Sequence, residues 1–147
     1  MTDDHRLAHL LKDARRAMER ALQARLLEHG VPFGHWTYLR ILWESDGLTQ
    51  RELSARAGVM EPTTHTALRA MEERGYIERR QRPDNRKNVY VHLTRRGRAL
   101  RRKLVPLAEE VNRVAVRGMT RDEVARMRML LLAMIDNLSQ DEPERPE

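Results

Sequence analysis

The sequence predicts a mainly α-helical chain with one small β-hairpin, and three observations predict it. The apolar residues are chiefly Leu, Ala, Val and Met, with one Phe, two Trp and three Tyr in 147 residues, a composition that suits helices better than sheet. Most of the chain repeats its apolar residues at spacings of three and four, the period of a helix face. Alternating polarity, the mark of a half-buried strand, is confined to residues 76–93.

The first helix is expected over about residues 4–28, where Leu7, Leu11, Ala14, Met18 and Ala21 follow 4-3-4-3 spacing and Gly30 and Pro32 then stop the helix. A second is expected over 33–45, with Trp36, Leu39, Leu42 and Trp43 on one face and the turn Ser45-Asp46-Gly47 after it. A short helix starts at Thr49. Thr49 and Glu52 have capping-box spacing, in which side chains satisfy free backbone N–H groups at a helix start. Gly58 ends it, since glycine takes the left-handed C-cap cheaply. Thr64, Ala67, Leu68 and Met71 form the next inward stripe, closed by Gly75. Two short helices joined by a tight glycine turn have helix-turn-helix spacing.

Residues 76–80 and 88–93 read as strands, with Tyr90 and His92 on one face and Val89, Val91 and Leu93 on the other. The segment 80–88 between them holds Pro83, Asp84 and Asn85, which favour a turn, so the hairpin carries a basic tip. A long helix opens at Thr94 as N-cap. Its stripe Leu100, Leu104, Leu107, Val111, Val114 and Gly118 continues across Pro106, which predicts a kinked helix rather than two. The last helix opens on a second capping box, Thr120 to Glu123, and repeats Val124, Met127, Leu131, Met134 and Leu138. Residues 140–147, QDEPERPE, predict a disordered tail.

These elements predict a single domain over 1–147. A winged helix-turn-helix lobe, 33–103, is flanked by helices 4–30 and 104–139. Their heptad-like stripes leave apolar surface for a second copy, which predicts an α-helical dimerisation lobe; the alternative is an internal three-helix core in a monomer. With no cysteine, disulfides and thiolate chemistry are excluded. No apolar run approaches the ~20 residues of a membrane span, and the N-terminus is polar and acidic, so no membrane association and a cytoplasmic location are expected.

Charge is unevenly placed. Residues 74–103 hold twelve Lys or Arg against Glu78 and Asp84, a net +10 in a chain of net +6. Such a block is either a directed electrostatic surface or a solvated helix face. The chain has no P-loop, G-x-G-x-x-G, G-x-S-x-G or HExxH pattern, so no enzyme activity and no cofactor are expected. His5 and His9 stand at i, i+4 near the terminus without a clear third ligand, so no metal is expected.

Residues 48–100 resemble the winged helix-turn-helix of the MarR family of bacterial transcriptional regulators. The likeness rests on L-T-x-x-E-L-S at 48–54, G-V at 58–59, E-x-R-G-x-I-x-R at 72–79, D-x-R at 84–86 and L-T-x-x-G at 93–97. Five motifs in register over about 50 residues are specific where one would not be. The flanking helices fit the family's dimerisation elements. Two positions depart from the family pattern: Met60, followed by Glu61-Pro62, opens the recognition helix where Ser or Asp is common, and Thr66 stands where Arg is common. A different operator sequence is therefore expected.

The resemblance implies double-stranded DNA with an inverted repeat as partner, a homodimer, and a repressor released by a small-molecule effector. On the recognition helix, Thr63, His65, Thr66 and Arg69 face outward. Arg69 has the geometry for guanine or, equally, for phosphate or an ion pair with Glu72 or Glu73. On the wing, Arg82, Arg86 and Lys87 are the cations for a narrow groove. The resemblance implies that Asp84 pairs with an arginine to hold the wing and that Arg86 enters the groove. Thr49, Gln50 and Arg51 open the first helix of the motif and are candidates for phosphate. In the family, effectors bind between the dimer helices and the winged lobe. His35, Trp36, Arg40 and Trp43 border that region and would suit a small aromatic acid or an acyl thioester, although Trp36 and Trp43 equally have core spacing. A winged helix used only for protein contacts is the competing function, and a small enzyme without a recognisable motif a weaker one.

Overall fold

A computed structural model describes residues 6–141. In chain order the elements are α1 (Leu7–Leu27), α2 (Phe33–Glu44), β1 (Leu48–Thr49), α3 (Gln50–Ala57), α4 (Glu61–Glu73), β2 (Ile77–Arg82), β3 (Asn85–Leu93), α5 (Arg95–Ala115) and α6 (Arg121–Asp141). The chain divides into two compact units, Met1–Val111 and Asn112–Glu147. The expected start of the first helix at residue 4 lies outside the described residues. Gln140 and Asp141, expected in the tail, belong to α6; the rest of the expected tail, residues 142–147, lies outside the described residues.

The first unit has one apolar core. Leu39 and Leu42 of α2, Leu53 of α3, Leu68 and Met71 of α4, Ile77 of β2, Val91 of β3 and Leu104 of α5 are fully buried in it. Burying a side chain of this kind removes it from water at roughly 1.5–3 kcal/mol each. Within this unit α1 buries Leu22 and Leu26. Of the predicted stripe, Ala21 packs against this core, whereas Leu7, Leu11 and Met18 are exposed.

Local signals set the helix ends. The Thr49 hydroxyl accepts from Glu52 N–H at 3.1 Å, and Gly58 takes the left-handed C-cap at φ 68°. In an ordinary capping box the glutamate reaches back to the cap's own backbone N–H. Here the Glu52 carboxylate accepts instead from the Thr49 hydroxyl, at 2.9 Å. Thr49 also forms half of β1, pairing with Tyr90 of β3, while Leu48 pairs with Val91. This strand was not predicted: two residues carry no readable period. Thr49 sits at φ −71°, ψ 157°, an extended conformation that serves both strand and cap.

The sheet is antiparallel in the order β1-β3-β2. Arg82 pairs with Asn85, so only Pro83 and Asp84 form the hairpin turn, not the whole predicted segment 80–88. The register shifts between the pairs Arg80–Tyr90 and Arg82–Asn85, where β3 carries more residues than β2, and such an irregularity twists the wing locally.

Thr94 caps α5 as expected. Its hydroxyl accepts from Gly97 N–H at 3.1 Å and donates to the Gly75 carbonyl at 2.6 Å, and its N–H bonds the Tyr76 carbonyl at 3.0 Å. Gly97 is required there, since a Cβ would sit 2.1 Å from the Tyr76 oxygen. Helix α5 runs through Pro106 as one element. Gly118 does not extend its stripe as predicted: α5 ends at Ala115, and Gly118 stands beyond it at φ 84°.

In the second unit α6 is capped by Thr120, whose hydroxyl accepts from Glu123 N–H at 3.1 Å. None of its residues is buried. No helix among the described residues is long and apolar enough to cross a membrane, and no group of three or more His, Asp or Glu among them is placed to hold a metal ion.

Candidate nucleic-acid interface

The rotational setting of α4 is fixed from its inner face. Thr64, Leu68 and Met71 are buried there. Ser54 of α3 donates its hydroxyl to Thr64 Oγ1 at 2.7 Å, and the Tyr38 hydroxyl of α2 lies 3.0 Å from the same oxygen. All three side chains are buried. Leaving one such group unpaired costs about 1–3 kcal/mol, so this contact holds three helices in one relative setting. Sequence reading placed Thr64 in the core but missed its partners, because hydroxyls 26 and 10 residues apart leave no local pattern.

That setting turns Thr63, His65, Thr66 and Arg69 to the surface, where all four are exposed. Met60 is the N-cap of α4 and makes no side-chain cap, and Pro62 lies in the helix's first turn, where a missing N–H is tolerated. The Thr66 hydroxyl donates to the Pro62 carbonyl at 3.1 Å. Its polar group is thereby committed to the helix.

The ion-pair alternative for Arg69 is weakened by its neighbour. Arg79 of β2 donates twice to the Glu72 carboxylate, at 2.9 and 3.4 Å. Those hydrogen bonds hold the Glu72 carboxyl below its usual value. Among the ion pairs of the described residues none includes Arg69, Arg86 or Lys87.

On the wing, the Arg82 guanidinium stacks over the Tyr90 ring at 3.8 Å, a contact that fixes its direction. Arg86 and Lys87 are exposed, and Asp84 is exposed in the turn. The arginine pairing expected of Asp84 is not formed: no described ion pair includes it. The two-residue turn and the Asn85 side chain, which accepts from Lys87 N–H at 3.2 Å, shape the tip instead.

A recess of about 300 Å³ joins these elements. Thr49, Gln50 and Arg51 at the start of α3 line it together with Glu61 and His65 of α4, Arg79 of β2, and Lys87, Asn88 and Val89 of β3. Five predicted residues thus meet in one place, while Thr63, Thr66, Arg69, Arg82, Asp84 and Arg86 stand outside it. Glu61, Arg79 and Asn88 were missed. Glu61 was readable as an outward residue in the first turn of the recognition helix; Arg79 and Asn88 acquire their place only when the hairpin folds back.

The four residues expected to border an effector differ in burial within the first unit. Trp36 is buried and meets Trp43 edge to face with ring centroids 5.7 Å apart. Trp43 donates Nε1–H to the Gly97 carbonyl at 3.0 Å. Both indoles therefore pack as core residues, as their spacing allowed. His35 is also buried, whereas Arg40 is exposed. Neither this recess nor a second of about 350 Å³ along α1, which is lined by Asp13, Arg16, Glu19, Arg20, Gln23 and Phe33, includes any of the four. The His35 Nδ1 atom has no hydrogen-bond partner. Burial, with the Arg74 charge adding to it, holds His35 below its usual pKa.

The MarR family model matches residues 34–89, which span α2 through most of the wing. The chain is 32% identical over 136 residues to the HTH-type transcriptional regulator TtmR of Methylorubrum extorquens, covering 92% of this chain and 68% of that protein. It is 31% identical over 115 residues to the HTH-type transcriptional repressor Rv2887 of Mycobacterium tuberculosis, covering 78% of this chain and 80% of that one. Among solved structures, a protein assigned as a MarR family transcriptional regulator from Listeria monocytogenes, complexed with 26mer DNA, aligns over 100% of both chains with a TM-score of 0.83 and 23% identity. Motifs, fold and relatives agree, and the chain belongs to the MarR family of transcriptional regulators.

Proposed function

We propose that this regulator binds double-stranded DNA as a homodimer, with α4 in the major groove and the wing along the adjacent minor groove. The observation that carries this reading is the gathering of Gln50, Arg51, His65 and Lys87 around one recess, beside the unpaired Arg69 and Arg86. Cations and backbone donors on phosphates give affinity and register, and outward side chains of α4 read base edges. Thr49 serves chiefly as the α3 cap, and Arg82, stacked on Tyr90, supports the wing. Thr66 offers a thymine its methyl group rather than its committed hydroxyl.

The dimer is supported by apolar surface that each unit leaves uncovered: Leu7 and Leu11 on α1, and Met129, Ile135 and Leu138 on α6, the last three 64–69% exposed. A monomer gains nothing from such stripes. Two-fold symmetry then calls for an inverted repeat, with half-sites about 34 Å apart. The regulator acts as a repressor and is released by a small aromatic acid or an acyl thioester. That part rests on family likeness and on the repressor name of one relative, not on a preformed wall at His35, Trp36, Arg40 and Trp43.

Sequencing the genomic fragments captured by the purified protein tests the reading. An inverted repeat is expected, bound far more tightly than a scrambled duplex. Retention of protein partners with no preference among duplexes would favour the protein-contact function instead.

A further inference from the structure

We propose that Glu61 is a specificity-determining residue that reads a cytosine in each half-site; this rests on the DNA-binding reading above. Glu61 occupies the first position of α4, is exposed, and lines the recess with Arg51, His65, Arg79 and Lys87. It is the only carboxylate among the residues lining that recess. None of the described ion pairs includes it. One of the recess cations, Arg79, is already held twice by Glu72.

A carboxylate facing DNA finds its favourable partners among base-edge donors. It accepts hydrogen bonds and donates none, so phosphate oxygens and the acceptor-rich guanine edge repel it. In the major groove the donors are the exocyclic amines of cytosine and adenine. Adenine places its N7 acceptor beside that amine, whereas the cytosine edge itself offers the amine alone. The first turn of a recognition helix is the part that meets base edges. The same carboxylate also favours the positive end of the helix dipole. That role would affect helix stability but give no preference among bases, so base preference is the quantity that separates the two.

The experiment selects bound sequences from a randomised duplex pool with the full-length wild type, E61A and E61Q, each first shown to be folded by its melting transition. The wild type is expected to constrain one position per half-site to cytosine, on the order of tenfold or more over other bases. E61A should lose that constraint alone and bind scrambled duplex more tightly. E61Q should move the preference toward adenine, because a carboxamide pairs with adenine N6 and N7. Identical base profiles for all three proteins would overturn the assignment and leave the DNA-binding reading standing. Failure of the wild type to enrich any sequence would instead overturn that reading, and this inference with it.

Discussion

At the scale of single residues, the buried hydroxyl contact and the close glycine contact make the sharpest demands. Thr64→Val keeps the shape of the side chain but leaves Ser54 and Tyr38 without their shared partner. Stability should fall by about 1–3 kcal/mol in denaturant unfolding, and operator affinity should fall further than stability alone accounts for, because α4 loses its setting. Titration of His35 makes a separate prediction. Its folded pKa is lowered by burial and by Arg74, so the unfolded chain binds the proton first. Stability is therefore full above the usual histidine pKa of 6.5 and declines as pH falls from there toward the folded value. Melting temperatures measured through that range should decline for the wild type and be flatter for His35→Leu.

At the scale of elements, the wing and the reading helix should fail differently. Arg69→Ala should relax preference at one base pair per half-site, costing roughly 1–3 kcal/mol if the contact to guanine is bidentate. Competition binding against single-base variants of the operator measures this. Most elements were legible in the sequence because their signals are local: capping at Thr49, Thr94 and Thr120, a C-cap glycine at position 58, and alternation from Val89 to Leu93. What was not legible depends on distant partners. Strand β1 exists because β3 supplies its hydrogen bonds. The Thr64 hydroxyl finds its partners on two other helices. Trp36 and Trp43 have a spacing that favours a core over a ligand wall, and their packing against each other and the hydrogen bond to Gly97 agree with a core. Gly118 continued a numerical repeat, yet α5 ends at Ala115 and Gly118 stands beyond it at positive φ. In the candidate interface the outward residues of α4 were readable from periodicity. The loss of Glu72 as a partner for Arg69 was not, because Arg79 reaches it from β2.

At the scale of the whole molecule, the proposed function depends on joining two copies. Met127, Leu131 and Met134 stand on the predicted α6 stripe; Met127 and Leu131 are each 38% exposed. Replacing Leu131 with Glu should yield a monomer in sedimentation and abolish specific binding while the winged unit stays folded. A wild type that sediments as a well-folded monomer at micromolar concentration would contradict the dimer. The central claim, that the α4 face and the wing grip DNA together, is tested most directly by the salt dependence of operator binding for the wild type and Arg86→Ala. The account predicts weaker binding by the variant and a log–log slope shallower by about one for each wing that loses its phosphate-proximal cation, with sequence preference changed mainly where A·T-rich steps narrow the minor groove. Unchanged affinity and an unchanged slope in a folded Arg86→Ala protein would contradict it.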